Sequence, residues 1–249
     1  MLDINYKVKK INIMARLIFD IETIGENFDE MDETTKLALS KWIKRESGDP
    51  DEQKRLLADL KAGMGFSPLT GQIVVIGVLD VDKDNGVIYF QAPGSDTTEF
   101  TEDNFKYKLC TEKDMLKNFW EGAKQYHEFI SYNGRSFDVP FIIGRSAVNK
   151  VKITKDLMAN RYGYGQKYGV SHIDLLDQLT YYGAVRKRSS LHLWCRALGI
   201  KSPKEDGING ENVAKFFKEG KYADIARYNA NDLVATKKLY EIWKEYMNV

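Results

Sequence analysis

Two acidic residues stand inside the first strand-like run of the chain, LIFDIET, and they restrict what that run can become. Asp20 and Glu22 are two apart, so in a strand both side chains project from one face. Ionised carboxylates on an apolar strand are costly without a partner, and their natural partners are hard divalent cations. The same spacing also fits a frayed strand end in water, and taken alone it leaves both readings open.

The rest of the chain predicts an α/β domain with a mixed central sheet flanked by helices. Apolar, β-branched runs predict strands over 17–21, 73–79 and 87–91. The turn residues Asp84, Asn85 and Gly86 join the last two into a hairpin. Short strands are expected over 128–131 and 172–175, and helices over 112–124, 139–147, 190–197, 210–218 and 222–246. Residues 26–61 differ from their surroundings, with ten acidic and seven basic residues around two apolar sets, Leu37/Trp42/Ile43 and Leu56/Leu57/Leu60. Asp49 and Pro50 form an N-cap and first helical position, and Gly63 a stop. Residues 26–64 therefore read as a charged helical hairpin inserted between the first two strands. Residues 1–15 read as an N-terminal extension, and 1–249 as one domain.

Further carboxylates lie far along the chain. Asp138 ends SYNGRSFD, after the turn at Asn133 and Gly134 and before Val139 and Pro140, where it could cap the next helix. Tyr228 and Asp232 are four apart in a helical pattern and share its face. Asp138 and Asp232 together with Asp20 and Glu22 supply four acids that could converge on two ions about 4 Å apart.

In this combination the chain resembles the DEDD 3′-5′ exonucleases of the ribonuclease H-like fold, in the tyrosine subgroup that includes the proofreading domain of family B DNA polymerases and its stand-alone relatives. The matching segments are LIFDIET, IVVIGVLD, SYNGRSFDVPFIIGR, HIDLLD, SLHLWCRALGI and YNANDLVAT. They fill most of residues 17–243, leaving no stretch for polymerase modules within this sequence. The histidine subgroup would carry histidine five residues before the last aspartate, where this chain has Arg227. The chain departs from the pattern at Phe141, where family B domains usually carry tyrosine, at Asn229, where relatives often have cysteine, and at Asn231. None of these is a metal ligand.

The resemblance implies a two-metal hydrolysis of phosphodiester bonds with magnesium or manganese. Asp20 would bridge both ions, Glu22 and Asp232 would help hold the ion carrying the attacking water, Asp138 would support the other, and Tyr228 would orient the water. Thr23 and Ile24 would seat the terminal nucleotide, with Asn133 and Phe137 meeting the substrate strand. The implied partner is a single-stranded or frayed 3′ end. DNA is favoured over RNA by the resemblance alone, so an exoribonuclease or a non-catalytic nucleic-acid-binding module of the same fold remains the alternative. Asp174 and Asp177 are expected to be structural.

Charge is uneven although the chain as a whole carries only +1. Residues 145–204 hold twelve basic and three acidic residues, a segment charge of +9 against −8 elsewhere. Tyr162, Tyr164 and Tyr168 interleave it, as stacking platforms for unpaired bases would. Within it Arg186, Lys187 and Arg188 form the densest candidate patch for binding phosphates. Two cysteines without a C-x-x-C pair and three scattered histidines offer no zinc site in sequence proximity and point to a reduced, cytoplasmic compartment. Neither a signal peptide nor a membrane span is expected, because Arg16 interrupts the only apolar run near the N terminus.

Overall fold

A computed structural model describes residues 15–162, 170–202, 210 and 212–248. Its centre is a seven-stranded mixed sheet in the order β4-β5-β3-β2-β1-β6-β7. The strands are β1 (Arg16–Gly25), β2 (Gly71–Asp80), β3 (Asn85–Phe90), β4 (Phe100–Glu102), β5 (Phe105–Leu109), β6 (Glu128–Ser131) and β7 (Ser171–Asp174). β1 runs antiparallel to β2 and parallel to β6, so it lies in the middle of the sheet with both faces covered.

The two faces follow from alternation along β1. Leu17, Phe19 and Ile21 pack on one side with α4 (Glu112–Ala123) and α5 (Asp138–Val148). Ile18 and Ile24 pack on the other with α8 (Val213–Lys218) and α9 (Tyr222–Tyr246). Asp20 and Glu22 share the α9 face, polar positions between two apolar ones. Between Glu22 and Thr23 the register with β2 shifts, since Glu22 opposes Val75 but Thr23 opposes Ile73. The extra residue, Val74, joins Val75 in the same core cluster.

Every expected strand and helix occurs among the described residues, with shifts of a few residues at the ends. The strand expected over 172–175 ends at Asp174, because that side chain accepts a 3.0 Å bond from the Leu176 N–H and caps α6 (Leu175–Leu179). The helix expected over 190–197 is α7 (Leu191–Leu198), and the one expected from 210 begins at Val213. β4 and β5 were not anticipated. Their signal is the alternation in FKYKL, where Phe105 and Tyr107 are buried, and the turn at Asp103 with φ of 49°.

The inserted segment is helical but is not a simple hairpin. Its first arm is split into α1 (Glu33–Ser40) and the four-residue α2 (Ile43–Glu46), and its second arm is α3 (Pro50–Gly63). Asp49 caps α3 with Pro50 in its first turn, as expected. The apolar sets are less buried than their pattern suggested. Ile43 is in the core, Leu37 is 65% exposed and Trp42 is 40% exposed. No helix among the described residues is long and apolar enough to cross a membrane.

Candidate active site

The strand, the α5 start and the middle of α9 bring five of the expected residues to one cleft of about 470 Å³: Asp20, Glu22, Asp138, Tyr228 and Asp232. Carboxylate oxygens of Asp20, Glu22 and Asp232 lie within 4.8 Å of one another. Asp138 reaches the cleft from the first turn of α5 rather than capping it from outside, and its Oδ1 accepts a 3.1 Å bond from the Ile21 N–H. That bond ties α5 to the strand bearing the other two acids.

The loop before α5 is held by Asp174, whose two oxygens accept from the N–H groups of Asn133 at 2.8 Å and Arg135 at 2.9 Å. Asn133 has φ of 65°, a left-handed conformation that asparagine tolerates better than most residues. Asp177 forms a bidentate pair with Arg161 at 2.6 and 2.8 Å. His172 is buried, placed between Ser131 and the Leu157 carbonyl, and burial pushes its imidazole down to about 3, so it is a neutral core residue.

Electrostatically the cleft is a like-charge cluster. Burial and then repulsion from Asp138 and Asp232 push the Asp20 carboxyl well above its ordinary range. Burial, Asp232 and Asp138 do the same to Glu22. Burial raises Asp138 to about 7, although N–H groups of its own residue and of Ile21 oppose the shift. Burial and then the charges of Asp232, Glu22 and Asp20 push the Tyr228 hydroxyl far up, so it remains protonated and able to donate. Hard oxygen donors whose mutual repulsion is relieved by a cation suit a hard divalent ion.

The remaining expected residues divide. Asn133, Phe137 and Arg188 line the carboxylate cleft. Thr23 and Ile24 line a neighbouring cavity of about 340 Å³ with Gly65 and Phe66, and the Thr23 hydroxyl donates to the Gly65 carbonyl at 2.7 Å. Arg186 and Lys187 are exposed and do not line the cleft. Three residues of the basic segment are engaged elsewhere. Arg145 is buried against Glu112, Arg161 pairs with Asp177, and Lys155 donates to the Tyr126 carbonyl. Tyr162 is exposed and packs against Tyr182 with centroids 4.9 Å apart, whereas Tyr164, Lys167, Tyr168 and Lys204 lie outside the described residues.

Sequence reasoning noted Asn229 only as a departure from the family pattern. It is fully buried, and its Nδ2 donates to Asp20 Oδ2 at 2.8 Å. Its one sequence signal is its place on α9, adjoining Tyr228.

The sheet order and the carboxylate cleft define an α/β protein of the ribonuclease H-like type. Residues 71–248 match the family described as predicted 3′-5′ exonucleases related to the exonuclease domain of PolB, and the chain belongs to that family. β1, with Asp20 and Glu22, precedes the matched residues. The chain is 24% identical over 167 residues to DNA polymerase 1 of Sulfolobus acidocaldarius, covering 63% of this chain and 19% of that one. It is 21% identical over 137 residues to DNA polymerase 1 of Sulfurisphaera ohwakuensis, covering 51% of this chain and 15% of that one. The chain thus spans less than a fifth of the length of either polymerase. Among solved structures, the family B DNA polymerase of Pyrobaculum calidifontis superposes with a TM-score of 0.54 at 18% identity, covering 93% of this chain and 24% of the polymerase.

Proposed function

We propose that this chain is a metal-dependent 3′-5′ exonuclease of the tyrosine-containing DEDD subgroup, hydrolysing phosphodiester bonds from the 3′ end of a single-stranded or frayed nucleic acid, DNA in preference to RNA. The observation that carries the reading is the convergence of four carboxylates from β1, α5 and α9, three of them with raised proton affinity, on one open cleft. Such a cluster is unfavourable by itself and becomes favourable with cations.

Asp20, Glu22 and Asp232 would hold one divalent ion, and Asp20 with Asp138 the second, as magnesium or manganese. Bound cations supply Lewis-acid chemistry, bringing the pKa of water toward neutrality and stabilising charge on the leaving 3′ oxygen. Tyr228, kept protonated by its surroundings, hydrogen-bonds the attacking water and fixes its direction. Asn133, Phe137 and Arg188 hold the last nucleotides of the strand, and Thr23 and Ile24 back the terminal one from the adjoining cavity. Arg186 and Lys187 neutralise phosphates farther along. In this reading residues 1–249 form one exonuclease domain, with 26–64 as an insertion and 1–15 as an extension, and the two free thiols suit the cytoplasm.

The test uses 5′-end-labelled single-stranded DNA, duplex DNA and RNA with magnesium or manganese. The expected result is a ladder shortening from the 3′ end, fastest on single-stranded DNA and absent in excess chelator. Faster shortening of RNA would make the chain an exoribonuclease, and binding without cleavage in any metal would overturn the enzymatic reading.

A further inference from the structure

Asp20 and Gly77 are direct partners across the β1/β2 ladder and share the face that α9 covers. A glycine inside a central strand gives up side-chain packing and weakens the strand, so its presence calls for a reason. Backbone conformation is not the reason, since Gly77 is not among the glycines with positive φ. Space is. A Cβ built on Gly77 would lie 1.9 Å from Asn229 Oδ1, 2.8 Å from Leu233 Cδ1 and 3.1 Å from Asn229 Cγ. The position beside Asp20 that a strand side chain would fill is occupied instead by an amide descending from α9.

That amide is costly in its own right. Asn229 is fully buried, and its Oδ1 has no hydrogen-bond partner among the described residues. A leucine would have nearly the same shape and no unsatisfied oxygen. The property it would lack is the Nδ2–H that donates to Asp20 Oδ2 at 2.8 Å. A neutral donor suits this place, because it can hold the Asp20 carboxylate in orientation while leaving its charge available to a cation.

We propose that Asn229, admitted by the missing side chain of Gly77, is a positioning residue that pre-orients Asp20 for divalent-metal binding. The inference rests on the two-metal reading above. Asn229 touches neither substrate nor water in this role and acts through the carboxylate it holds. Partners that orient metal ligands in this way are typically worth about 10- to 100-fold in metal affinity.

The test is Mn²⁺ binding to the full chain, followed by the loss of the free-ion electron paramagnetic resonance signal, with thermal unfolding measured on the same samples. Asn229→Leu should remain folded and bind Mn²⁺ about 10- to 100-fold more weakly than the wild type. Gly77→Ala, which displaces the amide without removing it, should weaken binding similarly. The double variant Gly77→Ala/Asn229→Ala should bind no more weakly than Asn229→Ala, because the two residues form one device. A purely structural Asn229 predicts a lower melting temperature with unchanged Mn²⁺ affinity, and that result overturns the proposal. Should the leucine variant fail to fold, Asn229→Ala is read in the same way. A wild-type chain that binds no Mn²⁺ would overturn the two-metal reading and this inference together, whereas a binding wild type with equally tight variants overturns this inference alone.

Discussion

Two clusters of buried charge stand close to β2 and solve the same problem in opposite ways. Between α4 and α5, Arg145 donates to both oxygens of Glu112 at 2.9 Å, Asn149 adds a third bond at 2.9 Å, and the Ile73 N–H a fourth at 2.8 Å. Every charge there is answered by the chain itself. In the cleft, by contrast, Asp20, Glu22 and Asp138 are pushed up mainly by burial, with neighbouring carboxylates adding to it. The first cluster is architecture, and it takes Arg145 out of the apparent basic stripe. The second is left for something the chain does not contain, which is how a binding site differs from a brace.

The sharpest break of this comparison is removal of one member from each cluster. Asp20→Ala should lower single-turnover hydrolysis by several orders of magnitude while leaving the chain folded, and in metal-free buffer more stable, because one source of repulsion is gone. Glu112→Ala should do the reverse. It leaves Arg145 buried without its counter-charge, and urea unfolding should show a loss of about 3–5 kcal/mol. If both variants lost stability alike, the distinction between the clusters would fail.

Within the cleft the effects should grade. Tyr228→Phe keeps the ring and loses only the hydroxyl, so chemistry-limited turnover should fall by about 10- to 1,000-fold with Mn²⁺ affinity nearly unchanged. An unchanged rate would reduce Tyr228 to packing. The smallest effect is expected at the basic triplet, of which Arg188 alone lines the cleft. Replacing Arg186, Lys187 and Arg188 by alanine should weaken single-strand binding in calcium and flatten its log-log salt dependence by about 0.7 for each phosphate that is no longer neutralised, with saturating turnover little changed. An unchanged slope would move the strand's path away from this loop.

Most of the sheet was legible because its longer strands are apolar, β-branched runs. β4 escaped notice because it is three residues long with one partly buried side chain, and Phe105 and Tyr107 in β5 mark only half of a short strand. The five residues of the cleft were legible as an ordered pattern, and no one motif would have sufficed. What the sequence hid was pairing at a distance. Arg145 and Glu112 are 33 residues apart, and as letters they look like any exposed arginine and glutamate. Asn229 and Gly77 are likewise uninformative until the ladder sets Gly77 opposite Asp20. The split in the insertion's first arm had no clear mark, since Lys41 and Trp42 are both compatible with a continuous helix.

The central claim is that the carboxylate cleft is held in reserve for cations, and the linkage between pH, metal and stability tests it directly. An unfolded aspartate titrates near 4, as a rough reference. Folded Asp138 is raised to about 7, so between those values the folded chain keeps a proton that the unfolded chain has lost. Stability then falls as pH rises from the unfolded value through about 7, and Asp20 and Glu22 act in the same direction. Unfolding of the metal-free chain, measured by denaturant across pH 5 to 8 (roughly the span in which such a proton is lost), should show that decline. Saturating Mn²⁺ should reverse it by binding the folded state, and Asp20→Ala should respond much less to the ion. Stability that is flat with pH and gains nothing from Mn²⁺, or gains equally in Asp20→Ala, would contradict the account.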